Sequence, residues 1–164
     1  MRPIPEHPAA GQESVWDYPR PPRVERSDER IRVQNGEFVL AETRASFRVL
    51  ETSHPPTYYL PRAAFADGVL VPTAGSTVCE WKGRAAYADL VVGASKSERA
   101  AWSYPEPAAG FAELLDHWAV MPGGQLTCWV DDEQVIPQAG GFYGGWITGK
   151  VVGPFKGGEG SWGW

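Results

Sequence analysis

A thiol becomes a useful nucleophile when a neighbouring cation favours its thiolate, and Lys82 follows Cys79 by three positions across a Lys82-Gly83 turn. The competing reading of Cys79 is a small apolar group at the end of a strand. His54 stands before Pro55-Pro56, which impose an extended path and hold its imidazole on a stiff loop. That suits a proton carrier or a ligand contact, against a histidine that only braces the loop. Tyr58 and Tyr59 are adjacent on an expected strand and point to opposite faces, so only one can line a given pocket. Trp102 and Tyr104 share parity and can form an aromatic wall for a planar or cationic ligand, against ordinary core packing. Arg62 and Lys82 can receive a carboxylate or phosphate. Strand alternation sets Glu51 beside Ser53 rather than His54.

Other motifs fail on their surroundings. Gly144 to Lys150 has the spacing of a phosphate loop, but Val151 occupies the place of the Ser or Thr that would hold magnesium. Gly75-Ser76 is not followed by the spaced aspartates that a nucleotidyltransferase uses to bind metal, since Asp131 and Asp132 are adjacent. His7, His54 and His117 show no metal-ligand spacing, and no Gly-x-Ser-x-Gly elbow is present. Neither a metal nor a cofactor is expected.

The formal charge of -5 argues against nucleic acid or anionic lipid as partner, since both attract clustered Lys and Arg. No apolar run approaches the roughly 20 residues that span a bilayer, and the first residues lack the apolar stretch of a signal peptide, so a cytoplasmic location is expected. Two distant cysteines, Cys79 and Cys128, are expected as free thiols.

The elements that must position these groups are strands. Asn35-Gly36 between two apolar runs predicts a hairpin starting at Ile31. Further strands are expected at residues 45–51, 57–60, 77–80, 84–92, 100–103, 118–120 and 126–131, each bounded by Pro or Gly, with one short helix over 109–117. The pattern predicts an antiparallel, mainly β domain over 31–137. A Pro-rich arm (1–30) precedes it, and a Gly- and aromatic-rich arm (138–164) follows, packed on the domain or on a partner. The aromatic-rich arms offer a surface through which two copies could pair as a homodimer.

The segments around His54-Pro-Pro-Thr-Tyr58-Tyr59, Cys79-Glu-Trp-Lys82-Gly83 and Trp102-Ser-Tyr104-Pro resemble the bacterial family called domain of unknown function 427, from about Arg23 to about Asp132. The resemblance implies a β-tent, in which two antiparallel sheets meet at an angle with a pocket near their junction. Many tent proteins are pinned by zinc through two Cys-x-x-Cys pairs, which this chain lacks, so no structural zinc is expected. The leading expectation is a pocket for a small polar or aromatic metabolite, lined by His54, one of Tyr58 and Tyr59, Cys79, Lys82, Trp102 and Tyr104, with Arg62 aiding charge neutralisation. One alternative is a cysteine enzyme with Cys79 as nucleophile, Lys82 lowering its pKa and His54 moving protons. The other is an interaction scaffold.

Overall fold

The computed structural model describes residues 2–164. Strand β1 (Glu13–Ser14) lies in the N-terminal arm, and the first long strand, β2 (Arg23–Ser27), begins before the Ile31 start expected from the sequence. Strands β3 (Ile31–Asn35) and β4 (Phe38–Thr43) form the hairpin, with Gly36 taking a φ of 58° in the turn. Asn35 itself ends the strand rather than entering the turn, and its side-chain amide donates to Ser95 Oγ.

Strands β5 (Ser46–Leu50), β6 (Thr57–Pro61), β7 (Leu70–Cys79), β8 (Gly83–Val92) and β9 (Ser95–Ser103) follow. They are succeeded by β10 (His117–Val120) and β11 (Leu126–Val130). Strands β7 and β9 start well before the expected positions. Leu70-Val-Pro and Ser95-Lys-Ser-Glu are too polar or too broken to read as strands, but each pairs along β8. The helix expected over 109–117 is absent. A 3-10 turn at Ala112–Leu114 stands there, with Leu114 buried, and His117 already belongs to β10.

Four short strands complete the chain: β12 (Glu133–Gln134), β13 (Ile136–Pro137), β14 (Trp146–Ile147) and β15 (Val151–Val152). The protein is mainly β, with a seven-stranded sheet ordered β2-β5-β6-β10-β9-β8-β7 and a four-stranded sheet ordered β12-β11-β3-β4. All pairings within both sheets are antiparallel.

The main core joins the two sheets. Ile31, Val33, Leu40 and Cys128 from the small sheet meet Tyr58, Leu60, Leu90 and Val120 from the large one. Side chains of opposite parity on the large sheet, Val49, Tyr59, Ala85 and Ala119, form a second apolar cluster with Tyr104, Phe111 and Leu114. The period of two along each strand thus gives the large sheet two buried faces.

The arms close on the domain. β1 pairs in parallel with β15, and Val15 and Tyr18 pack with Leu50 and Val151. Trp146 is 1% exposed, its indole N–H donates to the Val120 carbonyl at 3.0 Å, and its ring lies 5.1 Å from that of Tyr58. Burying one tryptophan removes about 200 Å² from water, gross about 5 kcal/mol, which offsets part of the entropy lost by the glycines around it. No helix among the described residues is long and apolar enough to cross a membrane.

Candidate functional site

Strands β7 and β8 are joined by Glu80-Trp81-Lys82, with Cys79 paired to Gly83. Gly83 has a φ of 107°, a conformation that side chains resist, and a Cβ there would sit 3.1 Å from the Glu106 carbonyl. This tight reversal brings the Lys82 ammonium back toward Cys79. Burial alone would lower the Lys82 pKa, but the electrostatic influence of Tyr59, Cys79 and the Glu51 carboxylate, with a hydrogen bond to the Cys79 sulfur, favours the charged form, so the pKa is raised. The ammonium also lies 5.6 Å from the centre of the Tyr104 ring.

The His54 loop is fixed from both ends of the chain. The Ser53 N–H donates to the Val15 carbonyl, the Lys156 N–H to the Ser53 carbonyl, and the Trp146 N–H to the Pro56 carbonyl. Ser53 adopts a φ of 70°, so the segment reverses instead of continuing as a strand. Glu51 therefore faces His54, with Oε2 3.8 Å from Nε2, and not Ser53 as alternation suggested.

Gln138 decides the state of the imidazole. Its Oε1 accepts from the Gly145 N–H at 3.1 Å, which orients its amide so that Nε2 donates to the Lys156 carbonyl and to His54 Nδ1 at 3.1 Å. Nδ1 is then an acceptor, and the proton of the neutral ring sits on Nε2. Burial, reinforced by the positive charges of Lys156, Arg20 and Lys82, pulls the His54 pKa down to about 4. At neutral pH His54 is an uncharged N–H donor.

These groups border a cavity of about 460 Å³ on the second face of the large sheet. His54, Tyr59, Cys79, Lys82, Trp102 and Tyr104 all line it. The Trp102 indole N–H donates to the Tyr59 hydroxyl at 3.2 Å, and the Tyr59 and Tyr104 rings stand 6.2 Å apart. Burial raises the pKa of both tyrosines, keeping their hydroxyls protonated.

Two of the residues singled out from the sequence lie elsewhere. Tyr58 turns into the main core, 3% exposed, and its hydroxyl donates to Glu29 Oε1 at 2.9 Å. Arg62 is exposed on a 3-10 turn beyond β6 and does not border the cavity.

Sequence reasoning passed over several lining groups. Arg99 and Tyr87 come from neighbouring strands, with the guanidinium 4.3 Å above the tyrosine ring, and no local signal marks them. Gln138, Phe142, Tyr143, Gly144 and Lys156 come from the C-terminal arm, where the Gly-flanked aromatics were the available signal. Tyr143 packs edge-on against His54 at 4.8 Å, and Phe142 packs on Tyr143 at 4.9 Å while remaining 77% exposed. The arm approaches so closely that a Cβ at Gly144 would overlap Cη2 of Trp102.

Among the described residues, no group of three or more His, Cys, Asp or Glu side chains is placed to hold a metal ion. Cys79 and Cys128 are both free thiols. Cys128 lies fully buried in the main core, and burial pushes its thiol pKa up, so it has no part in the cavity.

Fold and site together define a mainly β domain whose larger sheet carries a hollow of small-molecule dimensions. Residues 23–134 match the model of a family described as Domain of unknown function (DUF427), and the chain belongs to that family. The matched span supplies His54, Tyr59, Cys79, Lys82, Trp102 and Tyr104, whereas Gln138, Tyr143 and Lys156 lie beyond it. No curated protein matches the chain.

Proposed function

We propose that this domain binds a small polar or aromatic metabolite in the cavity described above. The supporting observation is the convergence of a neutral imidazole, a charged amine and three aromatic side chains on one hollow of about 460 Å³. Tyr59, Trp102 and Tyr104 supply apolar contact area, Lys82 offers charge, and the His54 Nε2–H sets orientation. The test is native mass spectrometry of the freshly purified chain, followed by displacement titration read through tryptophan fluorescence. A retained small molecule that leaves when Trp102→Ala and Tyr104→Ala are introduced together supports the reading. Retention unchanged in that folded variant refutes it.

A thiol enzyme is the second reading, favoured by the shared position of Cys79 and Lys82. His54 is poorly suited to serve it as base, because Nδ1 is taken by Gln138 and Nε2 already carries a proton. Cys79→Ser separates the two readings. A receptor keeps its affinity within about twofold, whereas a thiol enzyme loses turnover by orders of magnitude while still binding.

A further inference from the structure

The charges around the cavity differ from those in the rest of the protein. Lys82, Arg99 and Lys156 border it, and the acidic side chain among its lining residues is Glu51. Glu51 is engaged by Arg20 at 3.1 Å, through the same oxygen that lies 3.8 Å from His54 Nε2. Elsewhere, Arg48 is held by Glu13 and Glu25, and Lys150 by Glu29 and Asp131. Among the described residues, no carboxylate side chain lies within ion-pairing distance of Lys82 or Arg99.

The polar contacts these cations do make are weaker ones. Arg99 stacks on Tyr87 and donates to the Ala74 carbonyl at 3.4 Å, and Lys156 donates to the main-chain oxygen of the last residue, Trp164, at 3.1 Å. Lys82 faces the Tyr104 ring, the Tyr59 hydroxyl and the Cys79 thiol. Arg99 is exposed, whereas Lys82 is shielded, and a shielded cation without a bonded counter-ion carries a desolvation cost that an arriving anion relieves. In a chain of net charge -5, a hollow bordered by three cations and one carboxylate is a local reversal of sign.

We infer that the ligand is a planar ring bearing an anionic oxygen group, a carboxylate or a phosphate monoester, and that Lys82 receives the anion while Trp102 and Tyr104 contact the ring. The His54 Nε2–H is a second donor suited to the same oxygens. Arg99 and Lys156 extend the positive field toward the mouth and attract the anion on approach. This inference rests on the small-molecule reading above and adds the ligand's charge and shape to it.

The test uses two matched pairs of probes on the full chain: indole-3-acetate with indole-3-acetamide, and phenyl phosphate with phenol. Binding is read from the Trp102 indole N–H resonance and by calorimetry at low and high salt. In each pair the anion is expected to bind about ten- to a hundredfold more tightly than its neutral partner, the worth of a hydrogen-bonded charge pair. That preference is expected to collapse in Lys82→Met and to shrink at high salt. The stronger pair tells carboxylate from phosphate. Lys82→Gln, which keeps a polar head without the charge, provides the same comparison should Lys82→Met not fold.

Equal affinity for charged and neutral partners in the wild type overturns the inference and leaves small-molecule binding standing. So does a preference that survives loss of the lysine charge. No shift with any of the four probes at millimolar concentration overturns the binding reading itself, and this inference with it.

Discussion

Replacing His54 by Asn should remove a pH dependence of stability that the folded environment of the imidazole creates. The pKa falls from 6.5 to about 4 on folding, so above pH 6.5 neither state is protonated and His54 contributes no pH dependence. Between these values the unfolded chain takes up a proton that the folded chain refuses, and stability falls as pH falls. At about 1.4 kcal/mol for each pKa unit, the loss from pH 8 to pH 5 is about 2 kcal/mol, reaching a ceiling of about 3 kcal/mol below pH 4. The side chain is 13% exposed, so solvent screening takes little from this figure.

The pH 5 end point is chosen because the paired carboxylates Glu13, Glu29 and Asp131 have lowered pKa values and stay ionised there. Their contribution to stability is present above the ordinary carboxylate range and disappears only as pH falls below it. In His54→Asn the carboxamide oxygen would stand near the place of the imidazole Nδ1 and still accept from Gln138, so the loop keeps its brace. Urea unfolding followed by tryptophan fluorescence at pH 8 and pH 5 gives the four stabilities required. The wild type should lose about 2 kcal/mol more than His54→Asn over this interval. Equal losses, or an imidazole resonance titrating near pH 6.5 in the folded protein, would refute both the buried neutral ring and its role as an uncharged donor.

Other outcomes follow from packing. Gly144→Ala places a methyl against the Trp102 ring and should cost about 1–3 kcal/mol or lift the 140–145 loop from the cavity, read as a lower melting temperature or faster proteolytic nicking there. A thiol reagent should label one cysteine in the native chain and two after denaturation, because Cys79 borders the cavity and Cys128 is wholly buried. Mass mapping identifies the labelled residue. Tyr58→Phe should cost about 1–3 kcal/mol by removing the hydrogen bond to the Glu29 carboxylate and should leave ligand binding unchanged, since this ring lies across the sheet from the cavity. Denaturant titration and the fluorescence displacement assay measure the two effects separately.

Much of the architecture was written in local pattern. Alternation and Pro or Gly boundaries marked β5, β6, β8, β10 and β11 closely, because a strand buried on at least one face must repeat with a period of two. Residues 70–76 and 95–99 escaped that logic: an edge strand and a mostly exposed ribbon bury too little to need an apolar pattern. The 109–117 segment looked helical by composition, but the three-dimensional need to deliver Trp118 and Val120 into the main core leaves room for only one 3-10 turn.

For the cavity, the chain itself determined which residue types and short spacings were available: Cys79 with Lys82 on one hairpin, a stiffened His54, and Trp102 and Tyr104 of one parity. It also required Tyr58 and Tyr59 to part, since adjacent strand residues face opposite ways. Which of them meets the cavity was decided only when the four-stranded sheet covered one face of the larger sheet and left Tyr59 on the other. The same assembly carried Arg62 away, brought Gln138 to His54 across 84 positions of sequence, and set Arg99 and Lys156 on the same cavity as Lys82. Periodicity is a property of neighbours along the chain, whereas a site made of distant segments, together with the protonation state of its imidazole, depends on sheet order, arm docking and the water they exclude.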